Sequence, residues 1–394
     1  MQHTETNKSR KFLWSLLMVS NCLVLTAWPI LARGDRENRP PASAQEITGS
    51  VHKYDEALPQ CSPDGRWLAF EYHETSDPNY PHVGIMDLSQ GSHPWHPLLE
   101  VKPGRHLYAG DFSWAPDSQW LALWTDYPEG SKSFWSDADF RIAKVNIHTG
   151  EVVRLTDALP EGARVAPTTA WLRSGMIVFA GMMDDSIYAV SQNGGNQQKI
   201  VTVPKDKCGL GTNTLAVSPD EKRIAFAMDA DGDEQIAECN ALWIADLPTG
   251  NLRRVPTTDL HPLSPFWLDN DTILFSGEKD NKPVGIYRLA LSTGNLTLLL
   301  EGHYLTPFVG DSGKTLYFSW GPELRTKTPG GDAWPTFNDF FGFHIWKVPL
   351  ADVLRQHEEH SEVTETVDPK RVAQRYAYVA FRCGSSSGID LSRE

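Results

Sequence analysis

One pattern recurs six times along this chain, and it constrains the fold more than any other feature. The copies are CSPDGRWLAFEY (61–72), WAPDSQWLALWT (114–125), AWLRSGMIVFAG (170–181), VSPDEKRIAFAM (217–228), FWLDNDTILFSG (266–277) and VGDSGKTLYFSW (309–320), and successive copies begin 53, 56, 47, 49 and 43 residues apart. In each, a tight polar turn precedes a run of β-branched, aromatic and aliphatic residues, the pattern of a hairpin turn feeding a buried strand. A second motif follows each copy: VGIMDLSQG, IAKVNIHTG, IYAVSQNGG, LWIADLPTG and IYRLALSTG, with HIWKVPL as an irregular sixth that lacks the closing Gly. Alternating apolar residues ending in Gly predict a strand, a turn and another strand. A period of ~40–50 residues with four short strands per unit predicts an all-β fold, a six-bladed β-propeller with four-stranded antiparallel blades.

The Ser-Pro-Asp-Gly turn with its Trp-Leu-Ala-Phe strand, followed by the Ile-x-x-x-Asp-Leu-x-x-Gly strand, resembles the TolB-type propeller repeat, a relative of the WD repeats. The resemblance covers about residues 47–350. TolB carries a separate α/β domain before its propeller, and only a dozen or so residues lie between the apolar N-terminal segment and the first repeat here. The resemblance is therefore to the propeller alone, and the Tol-Pal role does not follow from it. A propeller must close its ring or expose an edge strand. The segment Ile47–Tyr54 is expected to complete the last blade, with the C-terminal tail as the other candidate.

Outside the repeats, residues 1–44 read as a signal peptide or an N-terminal anchor. Lys8, Arg10 and Lys11 precede an uncharged run from Phe12 to Ala32, long enough to be an export signal or to span a bilayer. Ala42-Ser43-Ala44 before Gln45 is the better small-residue cleavage site. Residues 45–350 are assigned to the propeller and 351–394 to a C-terminal tail that begins with a short helix, ADVLRQHEEH. Export implies a periplasmic or secreted protein, in a compartment that permits disulfides. Cys208 and Cys239 are the preferred pair, closing a loop within one repeat, with Cys61 as a buried free thiol.

The 36 basic and 50 acidic residues give a net charge of −14, which excludes a nucleic-acid partner because a phosphate-binding surface needs excess Lys and Arg. In a four-stranded blade the connection between strands two and three lies on one face, and the Ser-Pro-Asp-Gly turns lie on the other. The longest such connections are Asp126–Phe140 in blade two, with Trp135, and Gly321–Phe343 in blade six, with Trp334, Phe337, Phe340 and Phe341. These blades flank blade one, so the aromatic residues are candidate binding elements on a rigid scaffold.

Asp229, Asp231 and Asp233 alternate as carboxylates do around calcium, but Gly232 and Asn240 depart from the EF-hand pattern, which favours a solvated turn. The acidic residues Glu71, Glu74 and Asp77 are expected on the same rim, open to a cation or a basic partner. The histidines His73 and His82 on that rim, and His93 and His96 on the opposite face, are too divided to converge on a metal and are read as surface residues. Gly384-Ser385-Ser386-Ser387-Gly388 matches the G-x-S-x-G string, yet no His follows it, so the hydrolase elbow is rejected. With no nucleophile, base and orienting group forming a set, the expectation is a non-catalytic binding module for a protein, peptide or envelope polymer, without a cofactor unless calcium. The alternative is a propeller hydrolase or lyase acting on a carbohydrate.

Overall fold

The computed structural model describes residues 39–49, 54–74, 77–90, 94–100, 106–128, 130, 139–157, 165–181, 186–203, 208–210, 215–230, 241–247, 249–279, 282–321, 323–324 and 340–355. Two compact units are present, residues 1–350 and 351–394. In the second, Ala351–Arg355 is helical. Among the described residues no helix is long and apolar enough to cross a membrane.

The first unit is a six-bladed β-propeller of antiparallel sheets. Blade one consists of Tyr54–Cys61, Trp67–Glu74, Asp77–Asp87 and Trp95–Pro97, from the channel outward, and blade two of Ala109–Trp114, Trp120–Thr125, Arg141–Asn146 and Val152–Arg154. Blade three is Val165–Trp171, Met176–Gly181, Ser186–Ser191 and Gln198–Thr202. Blade four has its innermost position split between Cys208–Leu210 and Ala216–Val217, followed by Arg223–Ala230, Ala241–Asp246 and Leu252–Pro256. Blade five is His261–Trp267, Thr272–Lys279, Lys282–Ala290 and Asn295–Glu301, and blade six begins with Tyr304–Gly310, Thr315–Trp320 and His344–Pro349.

The repeated turn explains itself in blade one. Ser62 Oγ donates to Asp64 Oδ1 and accepts from Trp67 N, while Asp64 Oδ1 also accepts from Arg66 N, which leaves Gly65 to take φ 73°. Ser218 and Asp220 repeat these bonds in blade four. Such side-chain bonds replace the ladder where the chain reverses. The second strand then runs between neighbouring blades and is buried on both faces. One position within it carries Phe70, Phe179, Phe226, Phe275 and Phe318, each at most 1% exposed. The core therefore lies in the seams, as where Ala69, Val83 and Ile85 of blade one meet Leu121, Leu123 and Val145 of blade two.

Five innermost strands each break register once, between Ala57 and Gln60, Gly110 and Ser113, Val165 and Thr169, Leu263 and Phe266, and Leu305 and Phe308, and the two innermost segments of blade four also pair in different registers. Leu58, Asp111, Ser264 and Thr306 take φ between 45° and 52° at these bulges. Proline follows three of them because the channel edge needs no ladder donor. The bulges free polar groups that tie each blade to the next. Trp114 Nε1 donates to Gln60 O, Thr169 Oγ1 to Asp111 O, Leu215 N to Thr168 Oγ1, Trp267 Nε1 to Ala216 O, Thr306 N to Ser276 Oγ and Leu58 N to Thr306 Oγ1. All six seams are thus hydrogen-bonded around the channel.

The ring closes through the N-terminal side, not the tail, and slightly earlier than the expected Ile47–Tyr54. Gln45 and Glu46 pair with Lys347 and Trp346 as the outermost strand of blade six. Ile47 N continues the pairing to Ile345 O at 2.8 Å, and Thr48 Oγ1 accepts from Ile345 N at 2.9 Å. Tyr54 instead starts the innermost strand of blade one, because the chain must cross from the outside of one blade to the channel of the next.

Candidate binding face

At the end of the propeller opposite the Ser-Pro-Asp-Gly turns, the two long connections leave from anchored roots. In blade two, Phe140 stacks on Trp124 with centroids 4.1 Å apart, and Tyr108 meets Phe140 edge-on at 5.1 Å. Tyr80 contacts Tyr108 at 4.8 Å, and His106 stacks on Tyr80 at 4.1 Å. The buried Asp126 accepts a hydrogen bond from Tyr108 N, and Asp139 pairs with both Arg141 and Arg154 at 2.7 Å. Aromatic pairs of this geometry add about 0.5–1.5 kcal/mol each beyond their burial.

In blade six, Phe343 lies against Gly321, where a Cβ would come within 2.6 Å of the ring. Glu323–Leu324 and Phe340–Phe341 form a short antiparallel hairpin. Gly342, at φ 70°, donates to Asp55 Oδ1 at 2.5 Å, and Glu56 N donates to Phe343 O. Both roots are therefore fixed to the scaffold on either side of blade one.

Between the roots lies a buried network of acids and histidines. Glu71 Oε1 is 2.9 Å from His73 Nε2, and Glu71 Oε2 accepts from Asp111 N at 3.3 Å. Burial, reinforced by Glu71, holds the Asp111 carboxyl well above the usual range. Burial also raises Asp55, although amide donors from Gly342 and Phe343 oppose it. His82 is pushed down to about 4 by burial and then by His73 and His106. Glu56 is held by the Thr48 hydroxyl and by His344 Nδ1 at 3.0 Å. Burial pulls His344 down, but Glu56, with Glu46 and Asp55, more than offsets this and raises it.

These positions change two expectations. Glu71 is not a rim carboxylate: at 3% exposed it is enclosed in the seam between blades one and two. His73 is likewise enclosed and His82 half-buried, so neither is an ordinary surface histidine. Asp55, Glu56, Asp111 and His344 escaped the sequence reading. The adjacent carboxylates Asp55-Glu56 within an innermost strand that otherwise carries only Gln60 as a fully polar residue were the available signal.

Phe340 and Phe341 sit in the short hairpin of the blade-six root, while Trp135, Trp334 and Phe337 lie outside the described residues. Asp229 lies opposite Gly209 in the second strand of blade four, and Asp231 and Asp233 lie outside the described residues. Cys208 faces Ala230 in the same ladder and Cys239 is outside the described residues; Cys61 is a buried free thiol. Among the described residues no three His, Cys, Asp or Glu side chains converge as a metal site.

No family model matches the chain. The uncharacterized protein YidR of Escherichia coli (strain K12) is 37% identical over 81 residues, which make up 21% of this chain and 18% of YidR, so the chain matches less than a fifth of that relative. Among solved structures, TolB from Acinetobacter baumannii superposes with a TM-score of 0.45 at 17% identity, over 61% of this chain and 53% of that one. An oligogalacturonate lyase in complex with manganese superposes with a TM-score of 0.48 at 12% identity, over 79% of this chain and 94% of the lyase.

Proposed function

We propose that this chain is an exported, non-catalytic propeller that binds a protein, peptide or envelope polymer on the face from which residues 126–140 and 321–343 depart. The anchoring of both connections carries this reading: Trp124, Phe140 and Tyr108 at one root and Phe343 on Gly321 at the other. Connections that leave a rigid scaffold at fixed points lose less freedom on binding, which favours recognition there. The carboxylates between the roots already engage His73, His344, Thr48 and backbone amides. They serve the ring before any ligand. A net charge of −14 disfavours polyanions and favours a basic or neutral partner.

The experiment compares the wild type with a variant whose residues 131–138 and 325–339 are replaced by Gly-Ser of equal length. Both are titrated with immobilised peptidoglycan and with basic, neutral and acidic peptides. Binding of a basic or neutral probe that the replacement abolishes supports the proposal, and binding that survives it places recognition elsewhere.

One observation favours a hydrolase or lyase acting on a carbohydrate as the second reading. A carboxyl raised by burial beside a second carboxylate, Asp111 beside Glu71, is the arrangement that separates an acid from a base. Turnover of an acidic or neutral oligosaccharide that is lost in Asp111→Asn decides for this reading.

A further inference from the structure

The other end of the channel holds a cavity of about 560 Å³ bounded by the turn-side halves of all six innermost strands. Its exposed rim is built from Pro63–Gly65 of blade one and Asp311–Gly313 of blade six. A volume of this order suits a small organic ligand. What the wall offers such a ligand follows from what the fold has already used.

Most of the wall's hydrogen-bonding groups are committed to the seams. Thr306 Oγ1 accepts from Leu58 N and bonds Ser319 Oγ, Thr168 Oγ1 accepts from Leu215 N, and Gln60 Nε2 donates to Phe112 O. The indoles of Trp114 and Trp267 donate to Gln60 O and Ala216 O. A sugar, which needs a dense set of polar partners, gains little here. The half-buried rings of Phe266 and Phe308, edge to face with centroids 4.9 Å apart, remain open to a ligand.

The lining contains no Lys, Arg or His and three aspartates, Asp64, Asp111 and Asp311. Asp64 is tied into its turn by Ser62 and Arg66, and burial raises Asp111. The carboxylate of Asp311 is exposed at the mouth and makes no hydrogen bond or ion pair among the described residues. Lys347 lines an adjoining hollow that shares Cys61, Gly65 and Asp311, and among the described residues it forms no ion pair with Asp311. We propose that this cavity binds an organic ammonium or guanidinium group whose apolar body lies on Phe266 and Phe308 and whose charge meets Asp311. An ammonium paired with the carboxylate at the mouth, its apolar body covering the two rings, gains from both, whereas an anion loses the charge attraction at Asp311. The group can belong to a free amine or to a Lys or Arg side chain of an entering peptide.

The test is a fluorescence titration of the full chain, since Trp114, Trp171 and Trp267 line the cavity. The probes are phenethylammonium, 2-phenylethanol and 3-phenylpropionate, with a capped Gly-Phe-Lys-Gly peptide and its Gln analogue. The ammonium is expected to bind roughly tenfold more tightly than the neutral and anionic analogues. Asp311→Asn should remove that preference and leave the neutral probe unchanged. Asn tolerates the φ of 50° at this position, and a melting curve without ligand shows whether the variant is folded. Tighter binding of the Lys peptide than of phenethylammonium points to a protein source, and the reverse to a free amine. Equal binding of all three small probes, no saturable signal from any probe, or an Asp311→Asn variant that keeps the preference overturns the proposal.

Discussion

The ring is closed at one buried junction, and the Thr48 hydroxyl is where it can be weakened with least disturbance. That hydroxyl accepts from Ile345 N at 2.9 Å and donates to Glu56, the carboxylate that also meets His344 at 3.0 Å. Thr48→Val keeps the shape and removes both bonds. A neutral buried hydrogen bond contributes about 1 kcal/mol and one to a charged group about 1.5–3 kcal/mol. Because Thr48 is only half-buried, water can replace part of this, and the expected loss is about 2–3 kcal/mol.

Equilibrium unfolding in guanidinium chloride measures the loss, with Thr48→Ser expected within about 0.5 kcal/mol of wild type. His344→Gln acts on the same carboxylate, so the double variant should lose less than the sum of the single losses. The raised His344 pKa also sets a pH signature. Its stabilisation is fully present below the unfolded value near 6.5 and is lost as pH rises through the folded value. His344→Gln should therefore flatten the decline of stability from pH 6 upward. A Thr48→Val loss below about 0.5 kcal/mol, or strictly additive losses, refutes the view that the closure depends on this junction.

Burial lowers His82 to about 4, so its neutral form is favoured in the fold and stability falls as pH drops below about 6.5; His82→Gln should recover about 1–2 kcal/mol at pH 5, read from melting or urea curves. Asp111 has the opposite sense: its folded pKa is raised, so stability declines as pH climbs from about 4 towards that pKa, and Asp111→Asn should melt above wild type by a margin that widens between pH 5 and pH 8. A margin that narrows as pH rises would falsify that assignment. Gly321→Ala places a methyl within 2.6 Å of Phe343 and should cost about 1–3 kcal/mol, with faster proteolysis within residues 321–343 as the local readout.

The repeats were legible because each is specified locally. Ser62 and Asp64 make the turn from within it, and the run after the turn has no polar position until Glu71. The closing strand was less legible because Gln45 and Glu46 are two exposed residues without periodicity, paired to a strand 300 positions later. Their role depends on the partner's geometry, which local pattern does not encode. The same holds at the blade-two root, where Phe140 is held by Trp124 of the second strand and by Tyr108, which precedes the innermost strand.

The network beneath the loop face shows why a sequence can supply the right residues and still misplace them. In WLAFEYHE the apolar run ends at Phe70, so Glu71 and His73 read as the start of an exposed rim. The strand instead continues to Glu74, and Ala57 and Val83 flank Glu71 on either side in the sheet. Each residue along a strand advances the chain by about 3.3 Å, so three extra residues carry Glu71 about 10 Å in from the loop. That distance separates solvent from the seam. Inside the seam a carboxylate is tolerable only with partners, which His73 and the amide of Asp111 supply. Exchanging Glu71 for Gln should therefore unsettle the seam between blades one and two without altering any charge that a partner on the loop face would meet.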